Sequence, residues 1–310
     1  MQIISDIETT VAEKTVITIG KFDGFHLGHT ELIRMAKMAK RPGEKLLVFT
    51  FLMPEEQRAG RRGLLSREEK IHAAEKLGAD IYLECPFTEE VRRMEALDFL
   101  QDILLKRLNM RHIVAGTDCS FGHMGAGNAA LLEQYAEKLG YQTFVVDKIR
   151  YKGEEISSTR VRAALESGKV LEANTMLGFA YPLSGTVLHG LRNGHKIGFP
   201  TINLAIPADK IVPAFGVYVS RVTIDNVVYY GMSNVGRKPT VSGHEEPNIE
   251  THLFGTEVDC YGRPATVELL DFLRKERRFP TLAHLSNQLR LDKAAALDRI
   301  ARHCYNLTSL

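Results

Sequence analysis

The chain has 310 residues, 44% of them hydrophobic and 25% charged, and its formal net charge is +2. That length exceeds what one ordinary core serves, so two domains are expected. The near-balanced charge gives no footprint of a nucleic-acid or anionic-membrane binder, and a short run such as "RKERR" (274–278) reads as a solvated helix face. Cys85, Cys119, Cys260 and Cys304 are scattered and form no CxxC pair. They read as reduced thiols, with neither a disulfide framework nor a zinc site. The start, "MQIISDIETTVAEK", has no apolar segment behind a basic leader, and no apolar run nears the ~18 residues of a membrane span. The chain therefore reads as cytoplasmic.

Up to about residue 180, apolar runs alternate with helical patterns. Strands are expected at "TVITIG" (15–20), "KLLVFTF" (45–51), "DIYLEC" (80–85), "RHIVAG" (111–116) and "YQTFVVD" (141–147). Runs so continuously apolar suit strands buried on both faces. Helices are expected at 29–40, 66–78, 96–108 and 128–140, with Ser66 and Glu69 at capping-box spacing and Gly78 and Gly140 at C-termini. This alternation predicts an α/β, doubly wound parallel sheet.

The texture changes near "YPLSGTVLHG" (181–190). The β-branched segments at 216–236, 248–255 and 265–273, punctuated by Gly, Pro and Asn, predict an antiparallel sheet or barrel. A terminal helix is expected over 281–307, with Leu282, Leu285, Leu289, Leu297 and Ile300 at roughly helical intervals. The domain division is placed at 1–183 and 184–310.

"GKFDGFHLGH" (20–29) follows the first expected strand, where open parallel sheets bind ligands. Its glycines permit close backbone approach, the next helix N-terminus favours an anion, and His26 and His29 can donate to phosphate oxygens. A metal reading lacks a third nearby ligand. The GxGxxG and GxxxxGK[ST] patterns are absent here, and "GHMGAG" (122–127) carries its glycines in reversed order. "ISSTRVRAAL" (156–165) reads either as a capped helix start or as a phosphate clamp in which Arg160 and Arg162 add fixed charge beside three hydroxyls.

Taken in order, "GKFDGFHLGH", "LSREEKIHAAEKLGAD", "GTDCSFG", "ISSTRVR", "GFPTINL", "NVGRKPT", "ETHLF", "CYG" and "LRKERRF" resemble the bacterial bifunctional riboflavin kinase/FAD synthetase family over about residues 15 to 295. The resemblance implies an N-terminal nucleotidylyltransferase domain that moves AMP from ATP to FMN, and a C-terminal antiparallel β-barrel flavokinase domain with a terminal helix. It implies that His26 and His29 contact the ATP phosphates and stabilise the transition state. Gly20, Phe22, Asp23, Gly24 and Gly28 would shape that loop. Ser157, Ser158, Thr159, Arg160 and Arg162 would hold the triphosphate, with Asp118 and Asn128 near the nucleotide. In the second half it implies Mg²⁺ on Thr201 and Asn203 and Glu250 as general base for the riboflavin hydroxyl. Gly190, Gly194 and Gly198 would form a flap over ATP, where residues alone allow a plain hairpin equally.

Lys21, Leu52, Met53 and Cys119 depart from the family's usual residues on the flavin side of the first pocket. One rival reading is therefore a riboflavin kinase whose first half only binds nucleotide. Another is a nucleotide-sensing or RNA-binding module, since HxGH also occurs in class I aminoacyl-tRNA synthetases. No KMSKS-like loop is evident, and the basic footprint of an RNA binder is absent. The expected partners are riboflavin, FMN and ATP, with no nucleic acid and no membrane.

Overall fold

A computed structural model describes residues 1–53, 62–189, 198–239, 245–256 and 259–303. The chain packs into two compact units, Met1–Arg62 with Arg67–Ser157, and Gly63–Ser66 with Ser158–Leu310.

The strands of the first unit are β1 (Gln2–Ile4), β2 (Thr15–Gly20), β3 (Lys45–Leu52), β4 (Ile81–Pro86), β5 (Met110–Gly116) and β8 (Gln142–Val146). They form one sheet in the order β1-β4-β3-β2-β5-β8, with every pair parallel. Two short hairpins accompany it, β6 (Ser120–Phe121) with β7 (Gly127–Asn128) and β9 (Arg150–Tyr151) with β10 (Glu154–Glu155). The five strands expected from apolar runs are all present, and their side chains are almost wholly buried in β2, β3 and β4. The edge strand β1 was not expected, because three residues with only Ile4 buried carry no readable period.

The helices are α1 (Leu27–Ala39), α2 (Arg67–Lys76), α3 (Glu89–Arg93), α4 (Ala96–Asp98) and α5 (Ala129–Leu139). The expected helix over 96–108 is α4 running into a π-helical stretch, Phe99–Arg107, closed by an i→i+5 bond from Leu108 N–H to the Ile103 carbonyl at 2.9 Å. Its Phe99, Leu100, Ile103 and Leu104 pack with Ile17, Phe49, Leu83 and Ile113 of the sheet in one core. Within the sheet the chain steps outward from β2 through β3 to β4, then returns to the other side of β2 for β5 and β8. The direction of winding thus reverses between β2 and β5, and that crevice is where such a sheet holds its ligands.

The second unit opens with α6 (Ser158–Glu166) and α7 (Val170–Leu177) and continues through β11 (Tyr181–Thr186), β12 (Ile202–Ala205), β13 (Gly216–Ile224), β14 (Val227–Pro239), β15 (Glu245–Leu253) and β16 (Pro264–Lys275) to α8 (Leu282–His303). The strands pair antiparallel in the order β11-β16-β13-β14-β15-β12. A further antiparallel bridge, Leu188 to Asn203 with Leu188 N–H donating at 2.8 Å, brings the end of β11 back to β12 and nearly closes a barrel. Inside, Arg221 and Glu268 form a buried two-point ion pair at 2.6 and 2.9 Å. Ser233 lies 2.7 Å from both Ser220 and Thr251, a buried row of hydroxyls across three strands.

Two features tie in chain segments that texture alone leaves out. Asn174 of α7 is buried, donating to the Leu269 carbonyl at 2.8 Å and accepting from Tyr181 N–H at 2.9 Å. Lys210 is fully buried, donating to the Pro182 carbonyl at 2.7 Å and lying 4.9 Å from the Tyr181 ring centre. The segment Gly63–Ser66 joins here as well, through Gly63 N–H to the Asp209 carbonyl and Ile211 N–H to the Gly63 carbonyl, with Leu64 and Leu65 buried. Residue 183 therefore lies inside β11, while α6 and α7 pack in the second unit.

The apolar stripe expected on α8 holds in part. Leu289 and Ile300 pack onto the barrel, but Leu282 and Leu297 are exposed, and the buried positions include Ala296 and Asp292. Asp292 faces inward because it takes Arg274 of β16 in a two-point contact at 2.7 to 3.0 Å.

Candidate active sites

In the first unit, Lys21–His26 turns the chain from β2 into α1. Phe22 and Phe25 both sit in the left-handed region, at φ 40° and 44°, which costs side chains of this size and is held only where the surroundings force it. Here both rings are fully buried, 5.4 Å apart, with Phe25 also 6.5 Å from Tyr82. They wedge the loop so that His26 becomes the residue before α1 and His29 lies one turn in. The two imidazoles stack at 3.9 Å with 14° between planes. Gly28 makes room for this, since a Cβ there would lie 3.2 and 3.3 Å from the His26 ring.

The electrostatics of the pair follow from enclosure. Burial lowers the His26 pKa to about 4, against a partial rise from the charges of Asp23 and Asp118. Burial also takes His29 well below its ordinary value, and His26 beside it pushes the same way. Both rings are neutral near pH 7. The Nδ1 atoms of both are buried with no hydrogen-bond partner among the described residues. The first turn of α1 holds no acidic residue, so the backbone N–H groups there meet no competing carboxylate.

Across the crevice, Asp118 follows β5 and sits 3.3 Å from Lys148, which also reaches Glu155 at 2.9 Å. These line a polar cavity of about 410 Å³ with Thr117, Asp147 and Arg150. The Lys148–Glu155 stretch was not singled out from sequence, although "DKIRYKGEE" places charge directly after a sheet strand. Asn128 lies at the start of α5, where its side chain accepts from Leu131 N–H at 3.0 Å. Gly20, Asp23 and Gly24 lie in the loop with the histidines. Ser157 ends the first unit, and Ser158, Thr159, Arg160 and Arg162 open α6 in the second, in a first turn that also lacks acidic residues.

In the second unit a cavity of about 330 Å³ runs between barrel and α8. Thr201 and Glu250 line it together with Phe199, Val217, Met232 and Leu289. Glu250 of β15 stands opposite Asn203 of β12 on one side and Asn234 of β14 on the other. Asn203 is buried, and its Oδ1 has no hydrogen-bond partner among the described residues. Asn234 donates to Glu276 at 3.1 Å. Gly198 is described, at φ 77°, whereas Gly190 and Gly194 lie outside the described residues. Leu52 ends β3, and Cys119 is half-buried, its thiol pushed up to about 12 by burial.

The FAD synthetase family model matches residues 8–160 and the riboflavin kinase family model residues 177–300. The chain is 34% identical over 292 residues to the bifunctional riboflavin kinase/FMN adenylyltransferase of Bacillus subtilis, covering 92% of each chain. To the Escherichia coli protein of that description it is 31% identical, covering 94% of this chain and 95% of that one. The chain belongs to the bifunctional riboflavin kinase/FMN adenylyltransferase family.

It is thus a transferase of flavin-cofactor biosynthesis with ATP as co-substrate, the adenylyltransferase domain first and the kinase domain second. Both domains are matched, which favours the two-activity reading over a kinase with an idle first half. The fold also matches a solved structure from Streptococcus pneumoniae named a macrolide-efflux protein, at 30% identity and a TM-score of 0.87, covering 96% of this chain and 99% of that one. Among the described residues here, no helix is long and apolar enough to cross a membrane. The histidine loop and the Asp118 cavity fall in the adenylyltransferase match, and the Thr201–Glu250 cavity in the kinase match.

Proposed function

We propose that His26 and His29 handle the ATP phosphates in adenylyl transfer, and that Glu250, Thr201 and Asn203 carry the kinase reaction. In the first, a phosphate oxygen of FMN attacks the α-phosphorus of ATP as the bond to pyrophosphate breaks. No covalent enzyme intermediate is needed, so positioning and charge stabilisation are the catalytic means. The observation that carries this reading is the pair of stacked, neutral imidazoles with enclosed, unpartnered nitrogens at the start of α1. As neutral rings they offer N–H donors without a permanent charge that pyrophosphate would have to leave behind. The N–H groups of Gly28 and its neighbours add the helix terminus. The motif "ISSTRVR" supports a triphosphate-binding role for Ser157, Ser158, Thr159, Arg160 and Arg162, and "GTDCSFG" a nucleotide role for Asp118.

In the kinase reaction the 5′-hydroxyl of riboflavin attacks the γ-phosphorus of ATP and ADP leaves. Glu250 receives the hydroxyl proton, a sensible task for a carboxylate lining a largely apolar cavity of about 330 Å³. Among the described residues no cluster of three or more His, Cys, Asp or Glu could hold a metal ion. The neutral oxygens of Thr201 and the unpartnered Asn203 Oδ1 instead suit Mg²⁺, a hard cation that takes few protein ligands and the rest from phosphates and water. When bound, Mg²⁺ neutralises phosphate charge. Asn203, opposite Glu250, keeps the metal end and the base end of the site in one register. The cytoplasm suits such an enzyme, and the balanced charge supports small-molecule partners rather than nucleic acid or membrane.

A crossed pair of variants tests both assignments in the full chain. His29→Ala should slow FAD formation from FMN by about 10²-fold or more and leave riboflavin phosphorylation nearly intact. Glu250→Gln should slow phosphorylation by about 10²–10⁴-fold and leave adenylylation of supplied FMN intact. Loss of both activities in either variant would show that the residue serves the fold rather than one site.

A further inference from the structure

We propose that His252 is a positioning residue of the kinase reaction: its grip on the Pro200 carbonyl sets the backbone that carries Thr201, the proposed Mg²⁺ ligand. This rests on the reading of Thr201 as a metal ligand. In "ETHLF" the glutamate is the proposed base, and the histidine lies two residues further along β15. Alternate residues of a strand share a face, and Glu250 and His252 both line the cavity between barrel and α8.

The contact is firmly built. His252 is buried, and its Nδ1 lies 2.9 Å from the Pro200 carbonyl oxygen. A carbonyl only accepts, so Nδ1 carries the proton and donates it. Phe199 packs edge-on to the ring at 5.0 Å and 62°, and Phe254 does the same at 5.9 Å and 66°. Phe199 is itself buried with Val217 and Met232, a cluster against which Phe254 also packs. These neighbours fix the imidazole plane, and with it the direction of the N–H.

What that carbonyl controls follows from the strand register. The ladder of β12 with β15 opens at Ile202, opposite Thr251, and continues through Asn203, opposite Glu250. Asn203 is thus set by backbone pairing. Thr201 comes directly ahead of the ladder, and Pro200 before it has no N–H to contribute. The His252 side chain reaches this segment where the strand pairing does not. One strand then carries the proposed base and fixes both proposed metal ligands, Asn203 through its backbone and Thr201 through a side chain. Groups that orient a metal's ligands typically matter roughly 10- to 100-fold in metal affinity.

Full-chain variants separate positioning from packing. Asparagine carries an N–H at the place of Nδ1, whereas glutamine carries one at the place of Nε2. His252→Gln should raise the Mg²⁺ concentration for half-maximal riboflavin phosphorylation about tenfold, with KM for riboflavin within about twofold of the parent. His252→Asn should keep the Mg²⁺ requirement within about threefold. A second readout needs no turnover. With ADP present, Mg²⁺ should protect second-unit peptides from urea-dependent pulse proteolysis, and His252→Gln should need about tenfold more of it. Added to Thr201→Ala, His252→Gln should cause no further loss, because it acts through that residue. A parental Mg²⁺ requirement in His252→Gln, equal rises in the two His252 variants, or additive losses with Thr201→Ala would overturn the proposal. So would a lower urea midpoint without Mg²⁺ accompanied by a rise in KM for riboflavin, which marks a packing role. A parental requirement in Thr201→Ala would overturn the metal reading itself, and this proposal with it.

Discussion

Lowering the pH should destabilise the adenylyltransferase unit through His26. Its pKa is about 4 in the folded chain because burial disfavours the imidazolium, against about 6.5 when unfolded. Between those values the unfolded state binds the proton and the folded state does not. Stability is therefore highest above pH 6.5, falls as the pH drops, and levels off below 4. For one group with these two values, going from pH 7 to pH 5 removes about 2 kcal/mol. His29, shifted the same way, adds to the loss. The assay is urea-dependent pulse proteolysis of the full chain at the two pH values, reading peptides of the first unit, for the parent and His26→Gln. The parent should lose about 2 kcal/mol more than the variant. NMR titration of the His26 ring should show a midpoint near 4. Equal pH dependence in both proteins, or a ring midpoint at 6 or above, would refute the argument that enclosure holds these histidines neutral.

Other perturbations separate function from fold. Gly28→Ala should leave the stability of α1 within about 1 kcal/mol, the gain in helix propensity being offset by crowding at the His26 ring. Its Cβ, 3.2 Å from the His26 ring, should nonetheless cut FAD formation about tenfold by moving that ring; an unchanged rate would mean the stacking geometry does not matter. Asn203→Leu should leave thermal stability within about 1 kcal/mol, because the Oδ1 it removes is buried and unpartnered. Riboflavin phosphorylation and its Mg²⁺ dependence should collapse, and a normal rate would take Asn203 out of the metal site. A fragment of residues 184–310 should be markedly less stable to urea than one of residues 158–310. It lacks half of β11, Asn174 and the Pro182 carbonyl that buried Lys210 donates to. Equal midpoints would show that α6, α7 and the start of β11 contribute nothing to the barrel.

The parallel sheet was legible because its strands are long, apolar and evenly spaced, and the histidine loop because a distinctive residue set sits directly after one of them. The barrel was legible as a change of texture, but its beginning was not. Nothing in "GFAYPL" signals that Asn174 and Lys210 anchor β11, since single buried polar groups have no period. The stripe on α8 misled for a related reason. Asp292 faces inward to meet Arg274, and a pattern of leucines cannot register an ion pair formed with a distant strand. Phe22 and Phe25 read as loop residues, yet they are fully buried and support the two histidines, a role visible only once φ and packing are known. The proposed Mg²⁺ ligands and general base rest on motif position, beside which the strand register sets Asn203 opposite Glu250.

The short segment Gly63–Ser66 gives the barrel unit a discontinuous sequence. Gly63 bonds to the backbone on either side of Lys210, and Leu64 and Leu65 are buried, so an early piece of chain completes a late one. On the ribosome those residues emerge long before the stretch around Lys210 that they join, and they must wait for it to be made. For anyone building chimeras, a kinase half moved between relatives is incomplete if cut from the chain as one block. The four early residues belong in the same graft, although they are encoded inside the other enzyme.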